Sequence, residues 1–333
     1  MLTTVAAGRV FNHSYCIGMY AMSGQGFWSP LDFAFGANGV LYVLSRGDSE
    51  GLGVHLSKCT TDHQFLGQYG GFGRGDGQFI WPVSLDVDTA ENLYVSDEFL
   101  HRISIFDQEG KFLGAWGTPG SAAGELQGPA GLAFDRENHL YIVDSVNNRI
   151  QKFSRAGQCL QTWGKPGSGE GEFALPWGIC LDSQGDVYVA DWKNNRVQKF
   201  SPNGAFLGLF GGSDSGVGAL DHPTGVAVDA DGDVYVTDWN NHRLQIYAPE
   251  GTFITSLVGD AQQPSPWAQT YIDANPDMVK ARRRVNLEPE WRLRRPVAVN
   301  LDARGRIFVL ESARHRLQVY EKEKDTGDVS LNL

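Results

Sequence analysis

Apolar residues fall in short runs that alternate with polar positions, and glycine or an Asp-x-x-Gly turn interrupts them about every 8–12 residues. Residues 225–228, 234–236, 243–247 and 253–258 show the pattern well. Each is rich in β-branched or aromatic residues and is bounded by turn residues, which predicts strands. The same design recurs as GPAGLAFDRENHLYIVDSVNNRIQKF from Gly128, LPWGICLDSQGDVYVADWKNNRVQKF from Leu175 and HPTGVAVDADGDVYVTDWNNHRLQIY from His222. Pro82, Pro129, Pro176 and Pro223 stand 47 residues apart, Pro30 lies 52 before Pro82, and Pro296 lies 73 after Pro223. A period of this length marks a solenoid, a propeller or an array.

Four strands in each of six copies predict an all-β six-bladed β-propeller, with four antiparallel strands per blade and the first strand of each lining the axis. The expected domain is a single one over 1–333. The repeat resembles the NHL repeat, whose signature letters stand almost consecutively at Asn241-His242-Arg243-Leu244. The resemblance covers about residues 26–320 and implies the propeller fold. The functions it implies are diverse: RNA binders, protein-binding modules and lyases, with lactonases among related propellers. Ring closure needs a further strand in the sixth copy. Residues 14–22, more apolar than 329–333, are the expected partner of 316–320, since joining the two ends of the chain removes an open edge.

Glycine is abundant, 41 of 333 residues, as many tight turns require. The net charge of −11 disfavours a broad nucleic-acid or anionic-membrane surface. No apolar run approaches a membrane span, and no secretory signal is expected. Cys16, Cys59, Cys159 and Cys180 form no C-x-x-C or zinc pattern. They read as free thiols in a reducing compartment, so the expected location is cytoplasmic.

Blades two to six each carry an acid five residues before an arginine: Asp97/Arg102, Asp144/Arg149, Asp191/Arg196, Asp238/Arg243 and Glu311/Arg316. These read as ion pairs that staple the second strand to the third. A charged ring on one face is the alternative reading. Blade one has Ser45 and His55 at these positions and a longer loop with Arg46, Asp48 and Glu50. The loops on this face hold Phe99, Trp192 and Trp239, and the turns entering the inner strands add Trp28, Trp81, Trp177 and His222. Aromatics concentrated on loops suggest a binding face, with inter-blade packing as the structural alternative. Trp177 and Trp239 depart most from their counterparts in other blades.

Four connections between blades place twelve positions between the last glycine and the repeat proline, but Gly259 to Pro296 takes thirty-seven. This insertion, 260–295, contains Ser265-Pro266 and Asn275-Pro276, which predict helices over about 266–274 and 276–285. Between Lys280 and Arg295 it holds seven cations and two acids. Its expected anchors are Trp267, Tyr271, Met278 and Trp291, docked on the aromatic face, with Arg282, Arg283, Arg284 and Arg295 offered to an anion near the channel. A connector shortened to twelve positions is expected to leave the propeller folded. A cap bonded to the propeller's own acids is the alternative.

Two functional classes follow. The first is a monomeric binding module for a small anionic ligand or an acidic protein partner, using Trp177, Trp192, Trp239, His222 and the four arginines. The second is a metal-assisted hydrolase, lactonase or lyase at the same mouth. The resemblance suggests calcium or zinc for it, with Asp32, Glu98, His101 and His222 as candidate ligands and Ser84 nearby. No hydrolase elbow, zinc-protease or phosphate-loop motif is present, no cofactor is otherwise implied, and the eight histidines show no shared repeat position. RNA binding, through the basic insertion with Trp267 and Tyr271, is opposed by the acidic total.

Overall fold

In a computed structural model describing residues 3–212 and 216–324, six twisted antiparallel sheets surround one axis. The inner strands are Pro30–Phe35, Pro82–Val87, Pro129–Phe134, Pro176–Leu181, Pro223–Val228 and Pro296–Leu301. Each touches the next, and the sixth touches the first. Within a blade, strands pair in chain order. The second and third strands meet in register, with Asp144 opposite Arg149 and Asp191 opposite Arg196.

The ring closes through the N-terminal segment. Arg9–Ile17 pairs antiparallel with Arg316–Lys324, from Arg9 opposite Lys324 to Ile17 opposite Leu317. The strand therefore begins earlier than expected from 14–22 and stops at Ile17. Gly18, at φ +96°, turns the chain into the connection toward Pro30. A turn at Ala7-Gly8 sends Thr3–Ala6 back as a fifth strand of this blade. Its alternating exposure hides it among polar neighbours, so periodicity alone does not find it. The alternative closing segment, 329–333, lies outside the described residues.

Large side chains fill the space between blades. Tyr42, Tyr141, Tyr188 and Tyr235 and the phenylalanines Phe106, Phe153 and Phe200 are fully buried. Burying each contributes about 1.5–3 kcal/mol. Near the axis the blades approach so closely that three of them use glycine at the third position of the inner strand. A Cβ on Gly131 would lie 2.5 Å from the Trp177 carbonyl oxygen, and one on Gly178 would collide with that of Thr224. Blades one and two carry Asp32 and Ser84 at that position instead.

Four of the five acid–arginine pairs are bonded, each through Nε at 2.7–2.9 Å: Arg149 to Asp144, Arg196 to Asp191, Arg243 to Asp238 and Arg316 to Glu311. The contact is not bidentate. The outer nitrogens donate to carbonyls of the preceding connection instead, as Arg196 does to Ser168, Gly169 and Glu172. The staple thus joins blade hairpin to blade connector. Asp97 accepts four backbone N–H groups (Ile80, Trp81, Phe99 and Leu100), while Arg102 donates to the carbonyls of Arg74, Gly75 and Gln78. In blade one, Ser45 takes over the acid's backbone task, accepting the Trp28 N–H at 3.2 Å opposite a buried His55.

The insertion forms helices α1 (Pro266–Asp273), α2 (Pro276–Arg282) and α3 (Glu288–Trp291). The Ser265 and Asn275 side chains accept from Ala268 N and Met278 N, as the capping pattern requires. The insertion docks in the seam between blades six and one rather than on the aromatic face. Trp267 is 6% exposed, joins a core cluster with Ile17, Phe27 and Cys59, and donates its Nε1–H to the His63 carbonyl at 2.7 Å. Tyr271 stays exposed, and Met278 and Trp291 are half-buried. Among the described residues no helix is long and apolar enough to cross a membrane.

Candidate functional site

The axial channel holds a cavity of about 240 Å³. Trp177 lines it, and below lie two polar groups that the repeat does not require, Asp32 and Asp86. Asp32 bridges blades one and two. Ser84 Oγ donates to Asp32 Oδ2 at 2.5 Å, Leu85 N donates to the same oxygen at 3.1 Å, and Phe33 N donates to Oδ1 at 2.8 Å. Ser84 Oγ in turn accepts Leu132 N from blade three. Asp86 accepts Phe134 N at 2.7 Å and Val87 N at 2.8 Å. At Asp86's position the other blades place Ala34, Ala133, Cys180, Ala227 and Asn300. Asp32 therefore comes from blade one, and Ser84 and Asp86 both come from the adjacent blade two.

Burial raises the Asp32 carboxyl to about 7, outweighing the Ser84, Phe33 and Leu85 bonds, and raises Asp86 to about 6. The folded protein keeps these protons above the ordinary value of 3.8, where an unfolded chain has lost them. The stability penalty is therefore absent below about pH 4, grows as pH rises through the two folded values, and is complete above about pH 7. His13, which burial pushes down to about 4, acts in the opposite sense from there to 6.5, so a variant must isolate the carboxyl effect. Urea unfolding between pH 4 and 8 should show Asp86→Ala losing less stability than the parent as pH rises, with the difference building between about pH 4 and 6 and constant above. Parallel curves would contradict the assignment.

At the mouth, guanidinium groups lie over aromatic rings. Arg46 is 5.3 Å from the Trp81 ring centre, Arg74 is 4.9 Å from that of Phe99, and Arg295 is 5.1 Å from that of Trp239. Trp81 and Phe99 contact each other edge to face and are 43% and 38% exposed. Between blades four and five, His222 meets Trp192 edge to face at 4.3 Å and shares a 2.5 Å hydrogen bond between Nδ1 and Asp221 Oδ1. Trp28 packs against Tyr20. The extra length of the blade-one loop has a use: it carries Arg46 across to Trp81 and to Glu98, whose Oε2 it meets at 3.3 Å.

The metal candidates are dispersed among other partners. Asp32 is held as described, Glu98 pairs with Arg46, His222 with Asp221, and His101 Nδ1 accepts the Gly128 N–H at 3.0 Å. The last bond corrects the reading of the histidines. His101, His242 and His315 share one repeat position with Asn148 and Asn195. All five take positive φ, and each accepts the N–H of the residue preceding a repeat proline. Either side chain can do this: imidazole Nδ1 and amide Oδ1 both accept, and both residues tolerate the left-handed region. Among the described residues, one group of three potential ligands lies within 4.8 Å: Asp135, Glu137 and His139, in the turn between the first two strands of blade three, at the opposite end. Lys152 Nζ already sits 2.9 Å from Asp135 there.

The insertion arginines divide. Arg295 is at the mouth over Trp239, Arg282 pairs with Glu290 at 2.8 Å away from it, and Arg283 and Arg284 are exposed without an ion pair among the described residues. Sequence reasoning missed Arg46 and Arg74 as mouth groups. The signal was available only in part: an unusually long loop holding Arg46, but nothing local that brings Arg74 to Phe99.

The NHL repeat matches residues 126–153, 173–200 and 220–247, which fall in blades three, four and five. No curated protein matches the chain significantly in sequence. Among solved structures, a streptogramin B lyase superposes with a TM-score of 0.58 at 11% identity, over 94% of this chain and 98% of that one. A catalytically inactive virginiamycin B lyase from Staphylococcus aureus with quinupristin gives 0.58 at 13% identity, over 96% and 89%. A protein of unknown function from Bacteroides thetaiotaomicron gives 0.62 at 16% identity, over 95% and 76%. At such identities the likeness is one of fold. With the repeat matched in three consecutive blades and six blades closed around one axis, the chain is a six-bladed β-propeller that carries NHL repeats.

Proposed function

We propose that the protein is a binding module that holds an anionic ligand with a planar or apolar part at the channel mouth. The observation that carries this is the set of three guanidinium–aromatic pairs on loops, Arg46/Trp81, Arg74/Phe99 and Arg295/Trp239. The blade staples use other arginines, so these pairs are additions to the repeat. A ligand that meets one of these cations meets a ring beside it, and the partly exposed Trp81 and Phe99 offer apolar contact. An acidic segment of a protein partner has the same chemistry.

Tryptophan fluorescence titrations with benzoate, benzamide and benzylamine test the reading. Benzoate is expected to bind best. Arg295→Ala and Arg46→Ala should each weaken it by several-fold to about tenfold, with thermal stability unchanged. Equal binding of the three probes, or no effect of either substitution, would contradict it.

The lyase or hydrolase reading retains one specific support. Asp32 has a carboxyl near neutrality facing a cavity, a property suited to proton transfer, in a fold shared with lyases. Under it, Asp32→Ser abolishes turnover while leaving benzoate binding intact.

A further inference from the structure

Separate from the axial cavity, and sharing no lining residue with it, a cavity of about 210 Å³ lies between the insertion and blade six. One wall is apolar: Met19, Pro264, Ala268 and Ile272. The other holds Arg282, Glu290, Trp291, Arg314 and Arg316. Arg282 is paired with Glu290, and Arg316 with Glu311. Arg314 has no ion pair among the described residues. Its Nη2 donates to the Pro289 carbonyl at 2.7 Å, and its Nε is buried without a partner. The Trp291 Nε1–H is also buried without an acceptor. Each such donor costs about 1–3 kcal/mol while unsatisfied, and the wall carries one positive charge more than its carboxylates balance.

The repeat shows that this is a departure. In blades three, four and five, the position of Arg314 is Asn147, Asn194 and Asn241, and each donates to its own blade's acid. Only in blade six is that asparagine replaced by an arginine, turned toward the insertion's Pro289 rather than inward. The enlarged connection and the altered loop position therefore meet at one cavity. Burial, reinforced by Arg316, disfavours the charged form of Arg314, so a counter-anion would relieve it.

We infer that this cavity is a second ligand site, independent of the channel mouth, which takes a monocarboxylate with a short branched or straight aliphatic tail. The carboxylate receives the Arg314 and Trp291 N–H groups, and the tail lies along Ala268 and Ile272. An aliphatic tail suits the wall because Met19, Ala268 and Ile272 offer it small, flexible and branched side chains.

The probe is 4-methylpentanoate, added to the intact protein and followed through the indole resonances of a ¹H–¹⁵N spectrum, with Trp291→Phe identifying the relevant one. That resonance should shift to saturation with the carboxylate and stay in place with 4-methylpentanamide. Arg314→Gln should weaken binding at least about tenfold, the loss of charged hydrogen bonds. Ala268→Leu, which fills the apolar end without touching a charge, should abolish binding, and it carries the test if Arg314→Gln does not fold. Arg295→Ala at the mouth should have no effect. An unmoved Trp291 indole, an equal response to the amide, or full binding in Ala268→Leu would overturn the assignment.

Discussion

Asp191→Ala should cost about 3–5 kcal/mol of stability, because it leaves a buried guanidinium without its carboxylate. Asp191 is fully buried. Its Oδ2 accepts Arg196 Nε at 2.9 Å, Asn194 Nδ2 at 2.8 Å and Gln198 Nε2 at 3.3 Å, while Oδ1 accepts Ala174 N at 2.8 Å. Alanine removes all four bonds. Arg196 keeps its three carbonyl partners but loses its counter-charge. The hairpin of blade four and the connector from blade three both loosen as a result. Urea unfolding measures the loss directly. Asp277→Ala, at a side chain 93% exposed, is the control and should change stability by less than about 0.5 kcal/mol. A loss in Asp191→Ala no larger than in the control would remove the staple from the account.

The second large effect belongs to Trp267. Trp267→Ala should destabilise the protein by about 3–5 kcal/mol, since it opens a cavity among Phe27, Cys59 and Ile17 and deletes the bond to the His63 carbonyl. The same packing changes the expectation for a shortened connector. Excising residues 262–288 removes Trp267, and Ser265 with its 2.6 Å bond to the Gly18 carbonyl, from the seam where the ring closes. The shortened protein should therefore unfold at lower temperature than the parent, and Trp267→Ala should reproduce much of that loss. If both melt like the parent, the insertion is a lid without structural duty.

The architecture was readable because the repeat prolines, turns and acid–arginine pairs recur at fixed intervals, and each has a local cause within one blade. The glutamines two residues beyond four of the five arginines give no such signal, although Gln151, Gln198 and Gln318 donate to the same acids. A neutral residue in an alternating strand carries no sign of such a partner. Histidine posed the converse difficulty. His101 suggests a ligand when viewed alone, and becomes a turn acceptor only when set beside Asn148 and Asn195. Trp267, Arg74 and Arg314 depend on contacts between segments far apart in the chain, which no local spacing encodes. The mouth aromatics were visible because they break the repeat, but their guanidinium partners required the folded ring.

A crystallographic survey with three matched sets of small aromatic compounds, carboxylates, amines and neutral amides, tests the central claim most directly. The account predicts carboxylates bound against Arg46/Trp81, Arg74/Phe99 or Arg295/Trp239 at the channel mouth, with amines absent there. Occupancy without regard to charge, or carboxylates bound only away from the mouth, would contradict it.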